Sequence, residues 1–292
     1  MYSDIFNSDF LRKLQNISLK IKVSTHCGNS GIRKSKDVGG SQEFSDFREY
    51  SPGDDLRKIN WNAYGRSNRL LLKLFMEERE AEVNIFLDAS RSMDFGEEKK
   101  SIRALQLAAA LAFLSLKDSD RVCINILGEN GLYSSKALNS KNSFKYYTDF
   151  LQSIEFKGKT KINECIKKKH KLLGGLSIII SDFFTEENLE ESLKYLKYKK
   201  QDFILIHILS PEELNPKLRG HLRLKDSETE RYKDITVTDN MVKKYNKALK
   251  GFTVNLNNIS RRLGGRYVAI SSDESLEEII FKKLWNYITG KF

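Results

Sequence analysis

The chain has 292 residues, 40% apolar and 30% charged, which suits one large domain or one domain with a smaller companion in an ordinary globular protein. Its net charge is +11, but the excess lysines alternate with acids, as in EEKK (97–100) and EESLKYLK (190–197). Interspersed signs mark solvated helix faces, and no basic stretch interleaved with aromatics is present, so nucleic acid is not expected as a partner. Cys27, Cys123 and Cys165 lie far apart without a CxxC spacing, which argues for reduced, buried thiols in a cytoplasmic protein. The four histidines show no paired-ligand spacing, which argues against zinc. The apolar stretch LQLAAALAFLSL (105–116) is too short to span a bilayer and reads as a buried helix. The acidic start MYSDIFNSDFL lacks the basic region of a signal peptide.

In chain order, Phe6, Phe10, Leu14 and Ile17 recur at helical spacing and predict an amphipathic helix within residues 1–20, packed on the surface. Across residues 21–80 glycines cluster and helical periods vanish, which predicts a small β-rich subdomain. Within it, Pro52-Gly53 suits a type II turn. Asp54 or Asp55 suits the cap of a helical turn over 56–60, with Trp61 entering a core between subdomains. Arg48, Arg57 and Arg66 are expected to pair with Glu43, Asp54 and Asp55, a structural clamp.

From residue 81 to 292 the pattern alternates. Strands are predicted at 83–87, 121–127, 176–181, 202–209 and 266–271. Helices are predicted near 97–117, 161–172, 186–199, 240–263 and 275–288. The nearly continuous apolar runs LSIIIS (176–181) and FILIHIL (203–209) are what strands covered on both faces look like. The βαβα alternation predicts a Rossmann-like α/β domain with a mostly parallel sheet and helices on both faces. A hairpin insertion is expected near 220–238.

The stretch VNIFLDASRSM (83–93) places Asp88 at the carboxyl end of the first strand of this region, with Ser90 and Ser92 in the loop that follows. Alone, the pattern also fits helix and turn capping. Asp182 ends a second central strand, and Thr160 in GKTKIN (158–163) precedes the helix feeding that strand. Ligands bind at the carboxyl ends of strands in open α/β sheets. Two carboxylates and three hydroxyls there make a hard, all-oxygen donor set suited to Mg²⁺ or Mn²⁺. With only two carboxylates the ion stays electrophilic and favours a carboxylate from another molecule.

Asp88, Ser90, Ser92, Thr160 and Asp182 resemble, one by one, the metal-ion-dependent adhesion site (MIDAS) of von Willebrand factor A domains. The resemblance implies that the hydroxyls ligate the ion directly or through water, that the aspartates hold ligands or waters, and that the site binds rather than catalyses. GGSQEFSDFREYSPGDDLRKINW (39–61), then Gly65-Arg66 and FMEER (75–79), resemble the signature of the bacterial domain-of-unknown-function family fifty-eight. In that family the segment precedes an A-type domain. GHLRLKDSETE (220–230) is similar to its hairpin. Asn60 stands where the family usually has Asp, and Gly65-Arg66 where it has Ala-Arg. The resemblance implies a short cytosolic protein working with a MoxR-type AAA+ ATPase that offers an acidic residue to the metal.

Enzyme readings lack parts. A haloacid-dehalogenase-type phosphatase needs a second acid where Ser90 stands. An acidic-cluster nuclease needs three or four carboxylates. A serine hydrolase needs a G-x-S-x-G elbow and a placed histidine.

Overall fold

The structure is a computed structural model. It describes residues 5–26, 38–76, 82–185, 187–217, 220–225 and 232–285. In chain order the elements are α1 (Ser8–His26), β1 (Val38–Glu49), α2 (Trp61–Ser67), β2 (Leu71–Met76), β3 (Glu82–Asp88), α3 (Lys100–Lys117), β4 (Arg121–Gly128) and β5 (Gly131–Ser134). There follow α4 (Phe144–Gln152), α5 (Ile162–Lys168), β6 (Gly175–Ser181), α6 (Leu189–Tyr198), β7 (Gln201–Leu209) and α7 (Pro211–Leu214). The last are β8 (Gly220–Lys225), β9 (Tyr232–Val237), α8 (Asp239–Arg262), β10 (Arg266–Ser271) and α9 (Leu276–Glu278). The chain divides into two compact units, residues 30–80 and the remainder.

In the smaller unit β1 and β2 pair antiparallel. Gly53 takes φ +104°, and Asp54 N–H donates to the Ser51 carbonyl, closing the turn built on Pro52-Gly53. Asp55 accepts from the Arg57 backbone N–H and caps a single 3₁₀ turn, while Asn60 accepts from Ala63 N–H and caps α2. Arg48 pairs with Asp54 at 2.7 Å and Arg57 with Asp55 at 3.0 Å. The side chain of Glu43 lies outside the described residues. Trp61 is 62% exposed and meets Tyr64 edge-on. It opens a helix of only seven residues, none of which is buried.

The larger unit is built on a six-stranded sheet of order β10-β7-β6-β3-β4-β5. All neighbours are parallel except the β4–β5 pair. The chain runs from β3 outward to β4 and β5, then crosses back to β6 on the other side of β3 and onward to β7 and β10. The order therefore reverses beside β3, the place where an open α/β sheet forms its crevice. Short antiparallel β5 closes one edge, and its four residues carry too weak an alternation to be read from sequence.

Both faces of the sheet are covered, so all seven residues of β3 are buried. Val83, Ile85 and Leu87 enter a core shared with α1, α3 and α4, while Phe86 enters one shared with α5, α6 and α8. The period of two survives in the packing although every residue is dry. The amphipathic N-terminal helix is integral: Phe10, Leu14 and Ile17 are buried in the first of these cores rather than laid on the surface. The hairpin pairs Gly220 with Val237, and its turn, 226–231, lies outside the described residues. Among the described residues no helix is long and apolar enough to cross a membrane.

Gly175 begins β6 opposite Glu82 of β3. A Cβ there would fall 2.2 Å from the Glu82 carbonyl oxygen, a backbone atom that cannot swing away. Gly175→Ala is therefore expected to cost about 1–3 kcal/mol, the usual penalty of overpacking, and to lower Tm by several degrees in thermal unfolding. An unchanged Tm would show that the strand pair separates more easily than this spacing implies.

Candidate metal centre

Asp88 closes β3, and Asp182 follows the last residue of β6, the strand beside it. Both side chains are buried at the carboxyl rim of the sheet. Asp88 Oδ1 accepts from the Ser90 backbone N–H at 2.9 Å, and Oδ2 accepts from Ser181 Oγ at 2.6 Å. Ser90 stands at the start of a 3₁₀ turn over Arg91–Asp94, yet its hydroxyl makes no capping bond. It lies 3.0 Å from Ser92 Oγ instead. Capping accounts for the Asp88 carboxyl in part and for the Ser90 hydroxyl not at all.

The loop carrying Thr160 is locked to the same rim. Lys157 N–H donates to the Ala89 carbonyl and Arg91 N–H to that of Gly158, each at 3.0 Å. Thr160, itself buried, donates its hydroxyl to the Leu127 carbonyl at the end of β4, at 3.1 Å. Asp88, Ser90, Ser92 and Thr160 thus share one lip of the crevice, Asp88 held by Ser90 N–H, Ser92 beside the Ser90 hydroxyl and Thr160 tied to the end of β4.

Asp182 is held differently. Its Oδ1 accepts from Phe184 N–H at 3.2 Å, and its Oδ2 takes the ammonium of Lys100 at 2.7 Å. Lys100 is fully buried and also reaches Glu213 Oε1 at 2.6 Å. The rings of Phe95 and Phe184 lie 5.9 and 5.6 Å from the ammonium, a distance at which aromatic faces attract a cation. EEKK (97–100) therefore does not form one solvated face, because its last lysine turns inward. No spacing in sequence signals this, since Asp182 and Glu213 lie 82 and 113 residues away.

Glu213 was also missed, although SPEE (210–213) carries a capping-box signal and forms that box on α7. Its Oε2 accepts from Ser210 N–H while Oε1 faces Lys100. Ser181, the residue before Asp182, is the other partner that sequence reading missed.

The rim is short of positive charge. Burial and, next, the charge of Asp182 push the Asp88 carboxyl up to about 6, against hydrogen bonds from Ser181 and Ser90 that pull it down. Burial also raises Glu213, with Lys100 opposing. The buried carboxylates Asp88 and Asp182 and the partly buried Glu213 thus lie in a rim with one buried ammonium, which pairs with Asp182 and Glu213. His207, at the end of β7, supplies no second cation: burial holds it down to about 4. Its Nδ1 is paired with the Tyr267 hydroxyl at 2.6 Å, and Phe183 and Phe184 stand edge-on to its ring. Among the described residues no three His, Cys, Asp or Glu side chains gather as metal ligands. The donor chemistry is instead that of two carboxylates with clustered hydroxyls, which fits a hard divalent cation.

The family described as "Protein of unknown function DUF58" matches residues 46–251, a span that includes all five of these positions. The chain belongs to the DUF58 family. It is 24% identical over 237 residues to uncharacterised proteins of Mycobacterium tuberculosis (Rv1480) and Mycobacterium bovis (Mb1516), covering 77% of this chain and 73% of each relative. Among solved structures it is similar to BatB from Bacteroides thetaiotaomicron (18% identity, TM-score 0.44), covering 70% of this chain and 98% of that one. It is also similar to the SpRpn10 VWA domain (12%, TM-score 0.42), covering 70% and 95%. This DUF58 chain has a mostly parallel six-stranded sheet with helices on both faces.

The Asp88 carboxyl binds its proton more tightly folded than unfolded, where its value is 3.8. Its contribution to stability is therefore full below about 4 and is lost as pH rises through about 6. At neutral pH without divalent ions the buried charge costs on the order of 2–3 kcal/mol. Asp88→Asn is expected to raise Tm by several degrees at neutral pH in EDTA, and by little near pH 4, because Ser181 Oγ can accept from the new amide. A lower Tm for the variant at neutral pH would contradict this.

Proposed function

We propose that the protein is a non-catalytic, metal-dependent protein-binding module. In this reading Asp88, Ser90, Ser92 and Thr160 hold Mg²⁺ or Mn²⁺, Asp182 acts on the ion's water shell, and a protein partner supplies a carboxylate to complete the coordination. The observation that carries it is the Ser90–Ser92 hydroxyl pair, 3.0 Å apart and free of capping duty, in front of a buried carboxylate that lacks a counter-charge. The ion would neutralise Asp88 and Asp182 and remain electrophilic toward a third carboxylate.

An acidic partner suits both the ion and the chain's +11 charge, which speeds encounter with an acidic surface. The partner class that the family resemblance favours is a MoxR-type AAA+ ATPase. Non-catalytic duty is supported by how Asp88 is held. Both of its oxygens already accept hydrogen bonds, from Ser90 and Ser181, which blunts it as a nucleophile. His207, the histidine buried near the rim, is occupied with Tyr267 inside an aromatic cage and so does not serve the hydroxyls as a base.

Asp88→Ala, and Ser90→Ala with Ser92→Ala, are expected to abolish Mg²⁺-dependent capture of a MoxR-type ATPase in a pull-down, with far-UV dichroism unchanged. Capture that persists in EDTA would remove the metal from the interaction. Absence of capture by the wild-type chain in Mg²⁺ would remove this partner.

A further inference from the structure

We infer that Lys100 is a tethered counter-cation of the rim, competing with the divalent ion for Asp182 and thereby setting how tightly this chain holds metal. The inference rests on the metal-binding reading above and names a residue outside its five donors.

An ammonium with no solvent contact needs partners on every side, because the water it gave up is not replaced by apolar neighbours. Lys100 has them: Asp182 at 2.7 Å, Glu213 at 2.6 Å, and the rings of Phe95 and Phe184. It comes from the first turn of α3, whereas its carboxylates come from the end of β6 and from α7. Three separate segments of the larger unit thus converge on one proton-bearing nitrogen. The same Asp182 oxygen cannot serve the ammonium and a metal-bound water equally well. Two cations sharing one carboxylate in a dry site also repel each other far more than they would in water.

The consequence is a graded site. With Lys100 in place, the rim carries three carboxylates and one fixed cation, and a divalent ion gains Asp88 fully but Asp182 only in competition. Glu213 is the second seat. It lets the ammonium lean away from Asp182 without losing a partner, so the ion can be admitted without unfolding the pair. An ion held this weakly is retained firmly once a further carboxylate joins it, which makes metal and partner binding mutually reinforcing.

The test is Mn²⁺ titration of the full chain, read by electron paramagnetic resonance and by the Mn²⁺-induced shift in Tm. Lys100→Met keeps the apolar stem and removes the charge, and is expected to tighten Mn²⁺ binding about tenfold or more. Glu213→Gln leaves the ammonium wholly on Asp182 while its amide oxygen still accepts from Ser210, and is expected to weaken binding several-fold. The double variant Lys100→Met/Glu213→Gln has the same net charge as the wild type and leaves no unpaired charge at Glu213. It covers the case in which Lys100→Met alone fails to fold, and it should still bind more tightly than the wild type.

Wild type and the folded Lys100 variants binding with equal affinity would overturn the inference while leaving the metal reading intact, provided Asp88→Ala loses Mn²⁺. Mn²⁺ binding in no variant would overturn both. Binding in a Lys100 variant but not in the wild type, abolished by adding Asp88→Ala, would be the strongest support for the competition.

Discussion

An aspartate at the end of a strand covered on both faces has no water in which to place its charge. That constraint organises the carboxyl rim of this sheet. Asp88 and Asp182 are dry because β3 and β6 are central and parallel, and they are neighbours because the strand order reverses beside β3. Hydrogen bonds from Ser90 and Ser181 offset part of the cost for Asp88, and Lys100 offsets it for Asp182. What is left is a pull toward added positive charge, the property on which a cation-mediated docking site would depend.

The hydrophobic pattern made the architecture legible where burial is complete. Short, β-branched runs such as LSIIIS and FILIHIL form strands covered on both faces, and the helices between them follow from the topology of parallel pairing. Of the five polar positions that the family resemblance singles out, Asp88 and Asp182 are the two that the strand pattern itself marks. Oxygen-bearing side chains at the ends of such strands stand out against an apolar background. Thr160 and Asp182 are distant from Asp88 in sequence, yet register alone brings β3, β4 and β6 to a common edge.

What escaped sequence reading has two physical causes. One is that a charged residue does not announce which way it points. Lys100 sits among Glu97, Glu98 and Lys99, all exposed, and differs from them only in what lies across the fold. The other is that short elements draw their stability from neighbours. β5 has little periodicity of its own, and α4, though amphipathic, spans only nine residues, with Tyr147 anchored by its hydroxyl to the carbonyls of Val122 and Lys136.

The start of α3 has a further consequence, for folding. The helix opens on lysines at its positive end, with no side-chain cap and no acid in its first turn, the reverse of what a helix N-terminus favours. Negative charge reaches it from Asp94, which pairs with Lys99 and accepts from Ser101 Oγ, and through space from Asp182 and Glu213. Its middle, rich in alanine and leucine, is a good helix by itself, but its first turn is a tertiary structure. The first turn of α3 therefore depends on contacts with β6 and α7 that lie outside the helix's own sequence.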